Sequence, residues 1–234
     1  MSSQEKLGKI DRAAATSPRL MGMRWLLPLG WVAATVGYFG PWIAHGTAAL
    51  TLSGVDMAEF VKFLPQVLDG SLGAIRELFY LPPLAVVVSL ALLVGSRTLR
   101  YPWYFRVLGL IAAVPISLQL LPPAWSIGSL MSAEFRLQTM ALGLSWILLA
   151  GFWLLGRLPL WLASMLSAAT SLAALVLPSW QFLMVKPAID LVYRTVPAIG
   201  WGFLVCTTGL AVMTVASGVL VLRSRRRSGA AWTG

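Results

Sequence analysis

The sequence predicts an all-α fold: a polytopic membrane helix bundle of about six transmembrane helices, with short interfacial helices in its outer loops. Three observations predict it. Of 234 residues, 58% are hydrophobic, mean hydropathy is +0.80 and only 11% are charged, against roughly 25% charged in a soluble domain. The apolar residues lie in long runs and do not alternate with polar ones. The basic residues flank those runs and form no stripe of their own.

A span needs about 20 apolar residues to cross the hydrocarbon core. Six segments reach or approach that length: Met23–Ala44, Leu78–Gly95, Trp103–Leu121, Leu137–Leu155, Leu160–Leu177 and Val196–Leu222. The second is among the shortest and has Pro82-Pro83 at its start, which the first helical turn tolerates because its N–H groups have no partner there anyway. The first span follows a basic segment, as a cleaved leader would, but its apolar run is too long for one. It therefore reads as a retained helix. The chain then divides into a cytoplasmic segment at 1–22, a transmembrane domain at 23–222 and a basic cytoplasmic tail at 223–234. The outer loops fall at about 45–77, 122–136 and 178–196. Residues Ser2–Ala15 suit either a thin amphipathic helix on the inner leaflet or a disordered stretch.

Orientation follows from the loop charges. With the N-terminus inside, thirteen of the 18 Lys and Arg residues lie on the inner side and five on the outer. The acids are biased the other way, with only Glu5 and Asp11 inside. The two sides carry +11 and −1, together the +10 of the chain. Tryptophans mark the same boundaries: Trp25, Trp103 and Trp161 at inner edges, Trp42, Trp125, Trp180 and Trp201 at outer ones. An even number of spans keeps the Arg223–Arg227 cluster inside. These features place the chain in a bacterial inner (cytoplasmic) membrane, with both termini cytoplasmic. They assign the strong positive charge to topology and anionic headgroups, not to nucleic acid.

The largest polar segment is the outer loop 45–77. Ser53 can cap a helix starting near Val55, with Asp56 and Glu59 in its first turns. Phe60, Phe63, Leu64, Val67 and Leu68 would share its apolar face, Gly70 would end it, and Ser71 would start another leading into the second span. In the last outer loop Asp190 and Arg194 are spaced for an i,i+4 ion pair. The candidate substrate-binding residues on the outer face are Asp56, Glu59, Lys62, Arg76, Glu77, Asp190 and Arg194. One histidine, His45, and one cysteine, Cys206, supply no metal-ligand spacing and no disulfide. The expected cofactor and metal are none, and no catalytic set has supporting spacing.

Within the spans there is no central Asp, Glu, Lys or His, which argues against an intramembrane proton relay. Arg106 lies one turn inside the third span and can snorkel to the headgroups. Small residues recur instead: Gly30, Ala33, Ala34 and Gly37 in the first span, Ala163, Ser167 and Ser171 in the fifth, and Gly202, Cys206 and Gly218 in the sixth. Such stripes let helix backbones approach closely. The layout resembles that of the membrane subunits of ATP-driven transporters. It departs from them in its very short inner loops, Ser96–Tyr101 and Gly156–Pro159. The expected function is an integral membrane component of a small-solute transport system. The alternative is a non-catalytic accessory or scaffold subunit of a larger complex, and an outer-leaflet lipid enzyme using the acids of the first loop ranks third. The expected partners are the lipid bilayer and a protein in the membrane or at the cytoplasmic face.

Overall fold

The computed structural model describes residues 18–45, 51–122, 126–194 and 196–230. The N-terminal stretch 2–15, Trp125 and the last four residues of the tail lie outside them. The described chain runs α1 (Pro18–Phe39), β1 (Pro41–Ala44), β2 (Leu52–Ser53), α2 (Gly54–Phe60), a 3-10 turn (Val61–Phe63) and α3 (Pro65–Leu68). A second 3-10 segment (Arg76–Tyr80) leads directly into α4 (Leu81–Leu93). Then come α5 (Trp103–Leu118), α6 (Ile127–Leu130), α7 (Arg136–Ala150), α8 (Phe152–Leu155), α9 (Leu160–Tyr193), β3 (Ala198–Ile199) and α10 (Trp201–Ala230). The all-α fold is as predicted, apart from one small antiparallel sheet ordered β2-β1-β3.

Among the described residues, three helical segments are long and apolar enough to cross a membrane: Arg76–Leu93, Leu160–Tyr193 and Trp201–Arg225. Helices α5 and α7 are apolar but shorter, at 16 and 15 residues. Helix α1 has 22 residues.

Helices α1, α4, α9 and α10 form a four-helix core, in which α4 packs on α1 and α9, and α10 closes the opposite side against the same two. Helices α5 and α7 pack on the outer flank of α4 and on each other. Every residue of α4 except Leu81 and Leu84 is therefore buried. A helix that is apolar all round needs such a place, and Pro82 and Pro83 sit in its first turn as expected.

The tightest contact is between α1 and α10. A Cβ on Gly37 would overlap the backbone nitrogen of Cys206, and one on Gly209 would overlap the backbone nitrogen of Ala34. Gly30 faces Gly209 and Met213, while Gly37 faces Gly202 and Cys206. As the number rises on one helix it falls on the other, so the two run antiparallel. Gly30, Gly37 and Gly202, among the small residues that the sequence singles out, are thus packed backbone to backbone inside the molecule, whereas Gly218 has open space beside it.

A polar knot ties the four core helices together at one level. Trp31 on α1 donates its ring N–H to the Ser89 hydroxyl on α4 (2.9 Å). Ser167 on α9 donates to the same oxygen (2.8 Å), and its own oxygen lies 3.0 Å from that of Ser217 on α10. All four residues are buried. Ser164 and Ser171, about one turn to either side, are also buried, with hydroxyls that have no partner among the described residues.

The chain visits two ends in turn. At the basic end, Arg24 of α1 donates to the Leu99 carbonyl (3.5 Å), Tyr101 donates to the Arg24 carbonyl, Gly95 meets Phe152 and Gly156, and Arg225 of α10 lies over the Trp161 ring. Arg106, in the first turn of α5, donates to the Tyr101 carbonyl (3.0 Å). At the other end, which we call the cap end, the small sheet, α2, α3 and the 3-10 segments gather.

Two boundaries differ from the sequence expectation. Helix α1 stops at Phe39 and the chain enters β1 at Pro41, because Gly40 and Pro41 lie tightly against Trp201, Gly202 and Gly200. The segment 178–196 is not a separate loop. Helix α9 continues unbroken to Tyr193 for 34 residues, about 51 Å at 1.5 Å per residue. It passes through Pro178 and Pro187 because its packed face does the same: Ala174, Pro178, Gln181, Phe182, Val185 and Ala188 are all buried. From Trp161, under Arg225, to Phe182, stacked on Phe203 at 4.6 Å, α9 rises roughly 32 Å. That is close to the ~30 Å hydrocarbon thickness of a bilayer. The last three turns of α9 stand beyond this level, beside the cap, where Tyr193 meets His45 and Phe60.

Candidate functional site

The cap is built as the loop chemistry dictates, with one break. Ser53 caps α2 in a reciprocal capping box: the Asp56 N–H donates to the Ser53 hydroxyl oxygen, and the Ser53 N–H (2.9 Å) and O–H (2.6 Å) donate to the Asp56 carboxylate. The helix expected to continue to Leu68 instead breaks after Phe60. Leu64 precedes Pro65 and is extended, at ψ 128, because the proline ring disfavours a helical predecessor. Gly70, at φ +78, turns the chain as expected. Asp69 accepts from the Ser71 N–H (2.8 Å), and hydrogen bonding by Ser71 holds the Asp69 carboxyl below its ordinary pKa. No helix starts at Ser71; the chain stays irregular to Ile75.

Four of the predicted residues come together around Arg76, which is only 7% exposed. Its guanidinium donates to the Glu134 carboxylate (3.1 Å) and backbone carbonyl (2.8 Å). It also pairs with Glu77 (3.3 Å) and Glu59 (3.5 Å), and lies 4.6 Å from the Phe135 ring centre. Lys62 pairs with Glu59 (2.6 Å) and Glu134 (3.4 Å), and the Tyr80 hydroxyl donates to Glu59 (3.4 Å). This network clamps α2, the start of α4 and the segment before α7 into one body. Sequence reasoning missed Glu134 and Phe135. The available signal was that Glu134 is the lone acid in its loop, opposite a loop carrying Lys62 and Arg76.

The other three predicted residues lie apart from this clamp. Asp56 belongs to the capping box and is in no ion pair among the described residues. Asp190 pairs with Lys186 one turn before it, not with Arg194. Arg194 ends α9 in the left-handed conformation, at φ 54. The i,i+4 geometry that the predicted pair requires is therefore lost.

Between the cap and the end of α5 lies an open groove of about 600 Å³. Thr51, Leu52, Val55, Asp56, Glu59, Phe60 and Phe63 form one wall, and Leu118, Gln119 and Leu121 form the other, with Tyr80 between them on the lining. The lining contains no basic residue. Gln138 is buried next to Tyr80. Helices α1 and α5 both begin at the basic end. They meet near the basic end, where Trp25 contacts Tyr101 and Phe105. Higher up, Val32, Val36 and Phe39 of α1 and Leu108 and Ile111 of α5 are exposed.

Among the described residues, no group of three or more His, Cys, Asp or Glu is placed to hold a metal ion. Cys206 is buried at the α1–α10 contact. The site is thus an amphipathic groove beside an ion-pair clamp. Comparison of the chain with known protein families, with curated proteins and with solved structures finds no match to any of them.

Proposed function

We propose that the protein is an integral membrane component of a transport system, which captures a small amphiphilic solute at its outward face. The groove carries this reading: it is the right size for a ligand, has apolar walls with a few polar groups, and sits where the cap meets the expected membrane surface. In this reading α1, α4, α5, α7 with α8, α9 and α10 are the six spans. The basic end is cytoplasmic and the cap end faces outward across a bacterial inner membrane. Three features support that arrangement. The helices alternate between the two ends, α1 and α10 are antiparallel, and the Arg-rich segments share one end. The α1–α10 glycines, which a scaffold subunit could have offered as a docking face, are packed within the bundle.

A diazirine-tagged fatty alcohol offered to the protein in nanodiscs tests the proposal. Adducts should concentrate on Phe60, Phe63, Leu118 and Leu121, and Val55→Trp, which fills the groove, should abolish them. Adducts spread evenly over the exposed faces of α5 and α7 would refute solute capture. Orientation has its own check: a cysteine at Asp69 should label from outside the cell, and one at Arg225 should not.

A further inference from the structure

The charge of the groove specifies its ligand more closely, given the solute-capture reading on which this inference rests. The lining carries two carboxylates, Asp56 and Glu59, and no basic side chain. Glu59 is already neutralised by Lys62 and Arg76. Asp56 is exposed, bonds only Ser53, and retains an uncompensated negative charge facing the groove. Three aromatic rings, Phe60, Phe63 and Tyr80, line the same space. Phe63 is 71% exposed. Lys62 lies 5.9 Å from the Phe63 ring centre and pairs with Glu59, which leaves Asp56, Phe60 and Tyr80. A carboxylate beside aromatic rings is the chemistry that holds an organic ammonium group, through ion pairing and attraction to the ring faces. An anionic head would meet Asp56 and be repelled. The rest of the lining is mostly apolar: Leu52, Val55, Leu118 and Leu121, with Thr51 and Gln119.

We propose that the groove binds a long-chain amphiphile with an ammonium head. Asp56 is the counter-ion, Phe60 and Tyr80 lie beside the head, and the chain lies along the apolar wall of Leu118 and Leu121. A free alkylamine and an ethanolamine lipid of the bilayer share this chemistry.

The test is competition for the diazirine-tagged fatty alcohol in neutral maltoside micelles, with four competitors of equal chain length: tetradecyltrimethylammonium, lysophosphatidylethanolamine, tetradecanol and myristate. The alkylammonium should displace the probe at roughly tenfold lower concentration than tetradecanol, the scale of one exposed-to-intermediate cation–π and ion-pair contact. Myristate should be the weakest. Equal displacement by lysophosphatidylethanolamine identifies a bilayer lipid as the source, and its failure beside a strong alkylammonium identifies a free amine. Asp56→Asn keeps the capping acceptor and should erase the advantage of the ammonium head over tetradecanol. An unchanged melting temperature reports that the variant is folded. Gln119→Lys, on the opposite wall, should reverse the preference towards myristate. Equal displacement by all heads in the wild type, or an ammonium preference that survives both substitutions, would overturn the inference and leave solute capture standing. Failure of every competitor, tetradecanol included, would overturn both.

Discussion

Gly37→Ala adds a single methyl group at one of the closest backbone contacts among the described residues. The new Cβ would overlap the Cys206 nitrogen, lie 2.6 Å from the Cys206 Cα and lie 2.7 Å from the Gly202 carbonyl oxygen. Ordinary contacts of this kind are near 3.5 Å, so α1 and α10 must separate by about 1 Å. Backbone atoms cannot rotate aside as a side chain can. A gap of that size forfeits a quarter to a half of each dispersion contact along the seam, and overpacked sites cost about 1–3 kcal/mol. Replacing a helical glycine by alanine returns about 1 kcal/mol of propensity. The expected net loss is about 2 kcal/mol, or roughly 4–8 °C in melting temperature for a chain of this size. Gly218→Ala, on α10 itself, is the control: nothing lies within 4 Å of its added methyl. It should be neutral or stabilising by up to about 1 kcal/mol. Thermal unfolding in detergent can be followed by the intrinsic fluorescence of the tryptophans. If Gly37→Ala melts with Gly218→Ala, the close α1–α10 seam is wrong.

Arg76→Met should cost about 2–3 kcal/mol, since it strips a buried guanidinium from three carboxylates, and should expose residues 61–75 to protease. Glu134→Gln should cost under about 1 kcal/mol because that side chain is 57% exposed, so equal effects would argue against a clamp centred on Arg76. Ser167→Ala should lose about 1 kcal/mol by breaking the four-helix knot. Ser164→Ala removes an unpartnered buried hydroxyl and should be neutral or stabilising in the same unfolding assay. Burial raises the pKa of the Tyr101 hydroxyl above its ordinary 10, although the nearby Arg24 charge pulls the other way. The neutral form is therefore favoured in the fold. Its contribution to stability is complete below about pH 10 and is lost as pH rises through the folded value. Tyr101→Phe should flatten that alkaline decline in melting temperature.

Much of this architecture is legible in the sequence because membrane helices are specified locally. Runs of apolar residues mark α4, α9 and α10; Ser53 and Asp56 announce the start of α2; Pro82-Pro83 open α4. What is not legible depends on neighbours. Pro178 and Pro187 read as breakers, yet α9 continues through them because α4 and α10 hold its buried face. The strand at 41–44 exists only because residues 52–53 and 198–199 pair with it from distant parts of the chain. The same holds for the site. The charges of the first outer loop stand out as candidates, but Glu134 and Phe135 join them from 58 or more residues away, and no periodicity reports that. Asp56, Phe60 and Phe63 are visible, whereas the wall supplied by Leu118 and Gln119 is set by where α5 ends.

The antiparallel seam between α1 and α10 joins the first and the last of the described helices. During synthesis, about 160 residues must emerge between them, roughly 10–30 s at 5–20 residues per second. Throughout that interval the glycine face of α1 has no partner from its own chain. The tryptophan of the polar knot can meet Ser89 early, but the Ser167–Ser217 link waits for the final helix. The α1–α10 seam therefore closes only after α10 has been made. A chain truncated before Trp201 would leave the α1 groove open to lipid, to insertion chaperones or to the same helix of another copy.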